Sequence, residues 1–366
     1  MPFPLAPCRR ALLPICAALV VLPVSAQSIP TSSSYGLDGM APAGHWAARL
    51  TLLNNGYTTR FDAAGRRVDL DAGIDGLNLA ALGLAGTLRL DTEVRTEYTE
   101  LMFGYGLSAD LTVGAIVPYA RTTTRVRNFA VEGGIGRAGL QSVLSGVLGY
   151  KPLATTRVAG YGDPTVGVLW RFHRSEQESA IAGAGVRFGV ARPDDPDNLL
   201  DIPPGDGTTD LRARLEYFRD LGSNWDMRLL GEFFRQLPDQ VTLRPGNPLT
   251  TVSKESLRRK MGDYYETDVE LGRRFGDLRL SATWHRYRKG ADHYSSALGT
   301  DTRFLNANTD TLADQLRLAL TWSGVDAWRA GKLAAPLIVK LEMQDARRGR
   351  NFVGVRDIYL RFSSFF

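Results

Sequence analysis

Cysteine and histidine are scarce in this 366-residue chain, which has two cysteines and four histidines. Both cysteines, Cys8 and Cys16, lie within the first 26 residues, so the chain that follows has no thiol for a disulfide or a metal site. The His, Asp and Glu residues form no cluster with the spacing of metal ligands. No glycine-rich loop has the strand-to-helix context of a phosphate site. We therefore expect no metal and no cofactor.

Long hydrophobic runs are also absent after residue 26, where no 18 consecutive residues are apolar. This excludes transmembrane helices from that part of the chain. The formal net charge of +5 falls to +3 without Arg9 and Arg10, which is too weak a balance to indicate a nucleic-acid partner. A secreted globular protein and a transmembrane β-barrel remain.

Residues 1–26 have the pattern of a secretory signal peptide. Arg9 and Arg10 precede the apolar run "ALLPICAALVVLPV", and the small residues of "VSA" suit cleavage after Ala26. The apolar run is too short to span a bilayer as a helix. We therefore expect a signal peptide at 1–26 and one domain at 27–366.

Apolar and polar residues alternate with a period of two through most of the remaining chain. In "LTVGAIVPY", residues 111–119, and in "TLADQLRLALTW", residues 311–322, every second residue is apolar over most of the segment. This period is typical of β-strands and not of helices. It predicts twelve strands near residues 44–53, 92–106, 109–120, 161–173, 178–190, 208–219, 224–236, 263–275, 277–288, 311–323, 335–345 and 352–366.

The connections and the aromatic residues favour a barrel over a soluble β-sandwich, which would also alternate. Long and short connections alternate along most of the chain, as they do between the outer and inner sides of an outer-membrane barrel. Aromatic residues fall on the apolar rows at the inner strand ends, as in a membrane girdle. They are Trp46, Tyr105, Phe172, Trp225, Phe275, Trp322 and Phe362. The predicted fold is all-β, a transmembrane antiparallel β-barrel of about twelve strands with long extracellular loops.

Three stretches resemble a known family. They are "TRFDAAGRRVDL", "LMFGYGLSADLTVGAIVPYARTTTRV" and "GYGDPTVGVLWRF". Their order is similar to that of the outer-membrane proteins of the meta-cleavage (MetA) pathway of phenol degradation, a family of channels for hydrophobic and aromatic compounds. The resemblance is clearest over residues 56–190. It implies a Gram-negative outer-membrane channel for passive uptake of small hydrophobic or aromatic molecules. A barrel with a structural or surface-interaction role is the alternative.

Charged residues recur on the polar rows, which we predict to face the lumen. The predicted channel-lining residues are Tyr98, Glu100, Arg212, Arg214, Glu216, Arg228, Glu232, Glu266, Asp268, Glu270 and Arg317. Both signs occur on neighbouring strands, so the rows could form an ion-pair lattice that stiffens the wall. They could also give weak, mixed selectivity, since a selective ring would carry one sign at one depth. Tyr98 and Phe234 could offer stacking surfaces to an aromatic solute.

An enzyme at the outer rim is the third hypothesis. His293 follows Asp292 in the loop "KGADHYSS", and general-base catalysis uses a histidine held by a carboxylate. Neighbours in sequence on an exposed loop seldom have that geometry, and no second acidic pair completes it. We therefore expect no catalytic residue.

The longest outer connection, 121–160, contains an amphipathic helical pattern. Leu140, Val143, Leu144 and Val147 follow the i, i+3, i+4, i+7 spacing of one helical face. Such a face must be covered. We expect the segment to fold into the barrel mouth as a constriction, and packing among the other outer loops is the alternative.

Two further patterns suggest macromolecular partners. Basic residues collect at the predicted outer strand ends, and Arg347, Arg348 and Arg350 suit the phosphate groups of lipopolysaccharide. The terminal Phe366 lies on the apolar row of the last predicted strand. It resembles the terminal aromatic signal that is read by the outer-membrane assembly machinery.

Overall fold

The computed structural model describes residues 39–247 and 251–366. The predicted signal peptide, residues 1–26, lies outside them. Twelve strands close a barrel in which all neighbouring strands are antiparallel. They are β1 (Trp46–Tyr57), β4 (Thr87–Ser108), β5 (Leu111–Glu132), β7 (Thr165–Arg174), β8 (Glu178–Arg187), β9 (Asp210–Gly222), β10 (Trp225–Gln236), β13 (Tyr264–Phe275), β14 (Leu278–Lys289), β16 (Thr311–Ser323), β17 (Ile338–Arg350) and β19 (Arg356–Phe365).

The strand prediction is confirmed, because each of the twelve predicted segments overlaps one barrel strand. The barrel closes where β1 pairs with β19, with Leu50 opposite Phe362. Apolar side chains on the outward rows are exposed, as lipid contact requires. Trp170 on β7 is 56% exposed and Leu215 on β9 is 58% exposed.

The hairpin of β4 and β5 is longer than the sequence predicts. Each strand has 22 residues, and the pairing continues outward to Thr87 opposite Glu132. The short strand β6 (Thr156–Tyr161) pairs with the outer half of β5, whereas β7 pairs with its inner half. "GDP" at 162–164 separates β6 from β7, since proline cannot donate to the ladder.

The outer segments form further structure of their own. One small sheet contains β2 (Thr59–Phe61), β3 (Arg67–Asp69) and β18 (Phe352–Val353), and another contains β11 (Asp239–Leu243), β12 (Glu255–Lys260) and β15 (His293–Ser295). Helical turns occupy Leu79–Leu82, Gly136–Ser142, Val143–Val147 and Arg303–Asn306. Within the described ranges no helix is long and apolar enough to cross a membrane.

Two segments fill the inner end of the lumen. The helix Val325–Arg329 lies in the connection between β16 and β17, and its Val325 is buried against Ile338 and Phe365. Residues 39–45 cross the inward face of β5, where the Ala41 amide donates to Thr112 Oγ1 at 3.1 Å. The barrel is therefore narrowed from its inner side.

Candidate channel lumen

A cavity of about 400 Å³ occupies the middle of the barrel. Of the twelve barrel strands, eleven contribute residues to its surface and β14 contributes none. Of the eleven predicted channel-lining residues, ten contribute to the cavity surface. The eleventh, Glu216, is buried behind Arg214 and Arg228 and forms ion pairs with both.

One side of the cavity carries dense charge, and we call it the charged wall. It is formed by the inward rows of β9, β10, β13, β16, β17 and β19. Arg212 and Arg214 donate to Glu232 at 2.5 and 2.9 Å. Asp268 on β13 is paired with Arg317 on β16, whose Nη1 atom reaches past β14 to lie 3.0 Å from Asp268 Oδ2. Opposite charges on adjacent or next-but-one strands thus neutralise each other, as an ion-pair lattice requires.

The lattice continues below the cavity surface towards the inner end. Arg279 on β14 is fully buried and lies 2.5 Å from Asp226 and 2.6 Å from Glu270. The Nδ1 atom of His285 lies 2.6 Å from Asp268 Oδ1. Charges in such a place are stable only when every partner is present, because each is withdrawn from bulk water.

The other side of the cavity, which we call the glycine wall, has almost no charge. Directly paired glycines run across four strands, from Gly104 on β4 to Gly114 on β5, Gly167 on β7 and Gly185 on β8. The row ends at Arg212 on β9, which is paired with Gly185. Apolar side chains flank the row and also line the cavity, namely Met102, Ile116 and Leu169.

Glycine is required in this row by the close approach of neighbouring backbones. A Cβ atom at Gly167 would lie 2.7 Å from the Ala184 carbonyl oxygen, and one at Gly114 would lie 2.7 Å from the Phe103 carbonyl oxygen. Real Cβ atoms do not approach oxygen so closely. Glycines of this kind mark tight bends in barrel walls, and here they also leave a shallow trough free of side chains.

The two predicted stacking residues differ in their position. Tyr98 lines the cavity, and its hydroxyl donates to Glu100 at 3.1 Å. Phe234 is buried inside the barrel, nearer its extracellular end than the cavity. Its ring stacks on Tyr264 with centroids 4.3 Å apart. Tyr264 in turn contacts Tyr287 at 5.5 Å. These rings form an aromatic group at the outer end of the charged wall.

The predicted constriction helix packs above the barrel. Leu140 and Leu144 are buried in a cluster with Leu88, Leu90 and Phe129 of the extended β4–β5 hairpin. Val143 is half-buried, Val147 is 66% exposed, and none of the four predicted constriction residues contributes to the cavity surface. This placement favours the alternative, in which the helical face is covered by other outer segments.

A single arginine ties three outer segments together. Buried Arg244 donates to the carbonyl oxygens of Leu148 at 2.6 Å and Pro196 at 2.9 Å, and to Asp197 at 2.6 Å. Its guanidinium also lies 4.0 Å from the ring centroid of Tyr150. Hydrogen bonds from Lys254 and Arg244 hold the pKa of Asp197 below its usual range. We call this group the outer clamp.

Asp292 and His293, the pair considered for catalysis at the outer rim, have different partners in the structure. Asp292 accepts the Gly262 amide at 2.8 Å and lies 2.5 Å from Lys289, so its carboxylate is engaged away from His293. His293 is exposed and pairs through its backbone with Lys260. In the described ranges no group of His, Cys, Asp and Glu has the arrangement of a metal site.

The residues predicted to meet macromolecular partners lie at opposite ends of the barrel. Arg347 and Arg348 are exposed at the outer end of β17, with Arg347 paired to Asp345 at 3.3 Å and Arg350 paired to Asp310. Phe366 continues β19 at the inner end, where its amide donates to the Trp46 carbonyl at 2.8 Å. Its position extends the outward row of Phe362.

Sequence reasoning missed the glycine row and the two segments at the inner end. The inward rows of the predicted strands already contain Gly104, Gly114, Gly167 and Gly185 where other strands carry charge. A comparison of the charged residues on the inward row of each strand would have identified β4, β5, β7 and β8 as the side of the lumen with little charge. The inner segments carry no such signal, since 39–45 and 325–329 lie outside the alternating pattern.

No family model matches the chain, and no curated protein matches it by sequence. Among solved structures, it is similar to an outer membrane channel from Pseudomonas putida F1, with a TM-score of 0.58 and 12% identity over 89% of this chain and 96% of that one. The toluene transporter TbuX of Ralstonia pickettii has a TM-score of 0.42 and 10% identity over 92% and 98% of the two chains. The translocator domain of the autotransporter NalP of Neisseria meningitidis has a TM-score of 0.43 and 9% identity over 90% of each chain. The first of these similarities establishes the fold of an outer-membrane barrel.

Proposed function

We propose that this protein is a Gram-negative outer-membrane channel for passive uptake of small hydrophobic or aromatic molecules. The observation that carries the proposal is the two-sided cavity, in which the apolar glycine wall faces a charged wall whose ions largely neutralise each other. Pockets for small molecules are typically about 300–1,000 Å³ and mostly apolar, with a few polar groups. A cavity of about 400 Å³ is in that range.

Physical chemistry explains how such a cavity could favour aromatic solutes. A flat ring can lie on the trough over Gly114 and Gly167 and remove apolar surface from water. The paired charges opposite keep water in the lumen, so polar substituents stay solvated. The resemblance to channels of phenol degradation, carried by residues 56–190, supports the same class of solute.

Planar lipid bilayers test transport directly. The purified protein should give discrete channel steps, and liposomes that contain it should swell in phenyl glucoside. A silent, folded barrel that passes neither ions nor glucosides would instead favour the structural or surface-interaction role.

We also propose that Arg347, Arg348 and Arg350 bind lipopolysaccharide phosphates. They lie at the outer end of the barrel, and Arg guanidinium groups form paired hydrogen bonds with phosphate. Replacing all three with Gln should weaken lipopolysaccharide binding in a salt-sensitive way. The control is the same replacement of Arg174, Arg219 and Arg273 near the inner rim. Equal binding by both variants would count against the proposal.

The terminal Phe366 is proposed as the assembly signal. Phe366→Asp places a charge in the outward row near the inner interface, where the stability cost is about 0–1 kcal/mol. A far larger loss of assembled barrel in cells, with normal refolding into detergent in vitro, would support recognition of the terminus. Normal assembly in cells would contradict it.

The constriction by Leu140, Val143, Leu144 and Val147 remains a proposal that a deletion can test. Removing residues 134–153 and joining the ends with a short Gly/Ser linker should raise the single-channel conductance if the segment narrows the pore. If the variant forms a heat-resistant barrel with unchanged conductance, the narrow point lies instead at the inner segments, 39–45 and 325–329.

A further inference from the structure

Glu266 occupies an unusual position in the charged wall. It lies on the inward row of β13 and lines the cavity, with Glu232 opposite it on β10 and Tyr287 opposite it on β14. The next inward residues on its own strand are Tyr264 and Asp268. Its nearest neighbours in the sheet are therefore two carboxylates and two aromatic rings.

Glu266 is the one cavity-lining carboxylate of the described residues that has neither a hydrogen bond nor an ion pair. Every other one is paired. Glu100 pairs with Arg49 at 3.2 Å, Glu232 with Arg212 at 2.5 Å and Asp268 with Arg317 at 3.0 Å. Glu270 pairs with Arg279 at 2.6 Å, and Glu342 pairs with Lys340 at 2.6 Å.

The basic residues of the cavity surface are already engaged with other carboxylates. Arg214 and Arg228 bind Glu216, and Arg361 lies 3.3 Å from Glu342. Arg317 and His285, the two bases close enough to act on Glu266, both bind Asp268 instead, at 3.0 and 2.6 Å. Among the described residues, none forms an ion pair with Glu266. A carboxylate that is withdrawn from bulk water without a partner is costly to ionise, so a cation that enters the lumen and binds there would stabilise the ionised form.

The surroundings of Glu266 indicate what kind of cation fits. Tyr264 lies on the outer side of Glu266 and Tyr287 lies opposite it, and ring faces attract organic cations. Arg187 already contacts Tyr264 and Phe234, with 6.0 Å from the guanidinium to each ring centroid. Arg212 contacts Phe234 at 5.1 Å, so Tyr287 is the ring of this group without a cation contact among the described residues. The barrel order places β13 six strands from β4, so the glycine wall lies across the lumen from Glu266. A molecule that spans the cavity would meet a carboxylate at one end and an apolar trough at the other.

We propose that Glu266 binds the ammonium group of small amphiphilic amines whose apolar or aromatic body rests on the glycine wall. This proposal rests on the proposed channel function and names the solutes that the lumen prefers. Anions of the same shape are disfavoured at this site, because the unpaired Glu266 carboxylate would repel them.

Binding of phenethylammonium to the purified barrel in detergent tests this directly, by equilibrium dialysis against empty micelles. Glu266→Gln keeps the size of the side chain and removes its charge, so it should weaken binding by about tenfold or more, the effect of losing a hydrogen bond to a charged group. The matched control is Glu100→Gln, which removes a lumen carboxylate that already has partners and should change the affinity by less than about threefold on the same scale. Equal affinities of wild type and Glu266→Gln, or equal losses in both variants, would overturn the proposal.

A second comparison needs no variant. Wild-type protein should bind phenethylammonium more tightly than phenylacetate, which has a similar body and the opposite charge. Equal binding of the two ions would also overturn the assignment. These binding results are independent of permeation: if liposomes fail to swell in phenyl glucoside, the proposed channel function fails, whereas loss of amine preference in a conducting barrel removes only the role of Glu266.

Discussion

The two walls of the lumen are built from the same antiparallel ladder but carry opposite inward rows. On β9, β10 and β13 these rows carry Arg and Glu that pair across strands, while on β4, β5, β7 and β8 they carry mostly glycine, threonine and aliphatic residues. The charged wall depends on complete pairing, and the glycine wall depends on the absence of side chains. The two walls should therefore respond differently to substitution.

The largest effect is expected from Gly167→Val in the glycine wall. The new Cβ atom would meet the Ala184 carbonyl oxygen at 2.7 Å and Gly185 Cα at 3.2 Å, so the strands cannot keep their pairing. We expect loss of the heat-resistant folded band on gel electrophoresis. The control is Gly231→Val on β10, where no atom of the described residues lies within 4 Å of the new Cβ atom. A folded Gly167→Val barrel would show that the row is not required by packing.

The next effect is expected from Arg279→Met in the lattice under the charged wall. It leaves Asp226 and Glu270 buried without their shared cation, and breaking such a group costs about 3–5 kcal/mol. The free energy of unfolding in urea with lipid vesicles measures this. Arg303→Met removes an exposed pair with Asp301 in an outer segment and should leave the unfolding free energy unchanged. Equal stability of the two variants would contradict the role of complete pairing.

A smaller effect is expected on selectivity. Leu169→Asn adds a polar group to the glycine wall, and Leu230→Asn makes the same change on β10 of the charged wall; both positions line the cavity. The first should lower the swelling rate in phenyl glucoside relative to methyl glucoside by about two- to fivefold, for a loss of roughly 0.5–1 kcal/mol of apolar contact. The second should leave the ratio close to wild type. Equal shifts in both variants would mean that the walls do not differ in function.

The smallest effect on uptake is expected from the outer clamp, above both walls. Arg244→Met removes the donors to Leu148, Pro196 and Asp197, so protease cleavage of the outer segments should become faster. The ratio of glucoside swelling rates should not change. A changed ratio would show that the outer segments, and not the walls, determine selectivity.

The same clamp should respond to acid. Because the folded-state pKa of Asp197 is lowered, its stabilising contribution is complete above the ordinary Asp pKa of about 4 and is lost as the pH falls through the lower folded value. Hydrogen exchange of residues 143–153 should therefore rise below about pH 4, and Asp197→Asn should remove that dependence.

Most of the barrel could be predicted because its signal is local. Alternation within a strand assigned the outward row of Trp170 and the inward row of Arg212 without knowledge of the neighbouring strands. The glycine wall needs the register between four strands, since Gly104 and Gly167 come together only through Gly114. That pairing joins residues far apart in sequence, and no single segment contains it.

The sequence also could not predict which charged side chains of the lumen form ion pairs with each other. Glu232 and Glu266 are both inward carboxylates on neighbouring strands, yet Glu232 has two arginines and Glu266 has no paired base. Leu140 and Leu144 of the predicted helical face are covered, whereas Val147 of the same face is exposed. The outer part of the β4–β5 hairpin covers these leucines. The sequence did not predict this contact, because the predicted strands end before the part of the hairpin that forms it.

The relative swelling rate of wild-type liposomes in phenyl glucoside and methyl glucoside tests the central claim most directly. Neither neutral glucoside crosses lipid readily, and the phenyl compound is the larger of the two. A simple size sieve would pass methyl glucoside faster. The two-walled lumen predicts that phenyl glucoside enters at least as fast, because its ring gains apolar contact with the glycine wall. Swelling in methyl glucoside with exclusion of phenyl glucoside would contradict the account.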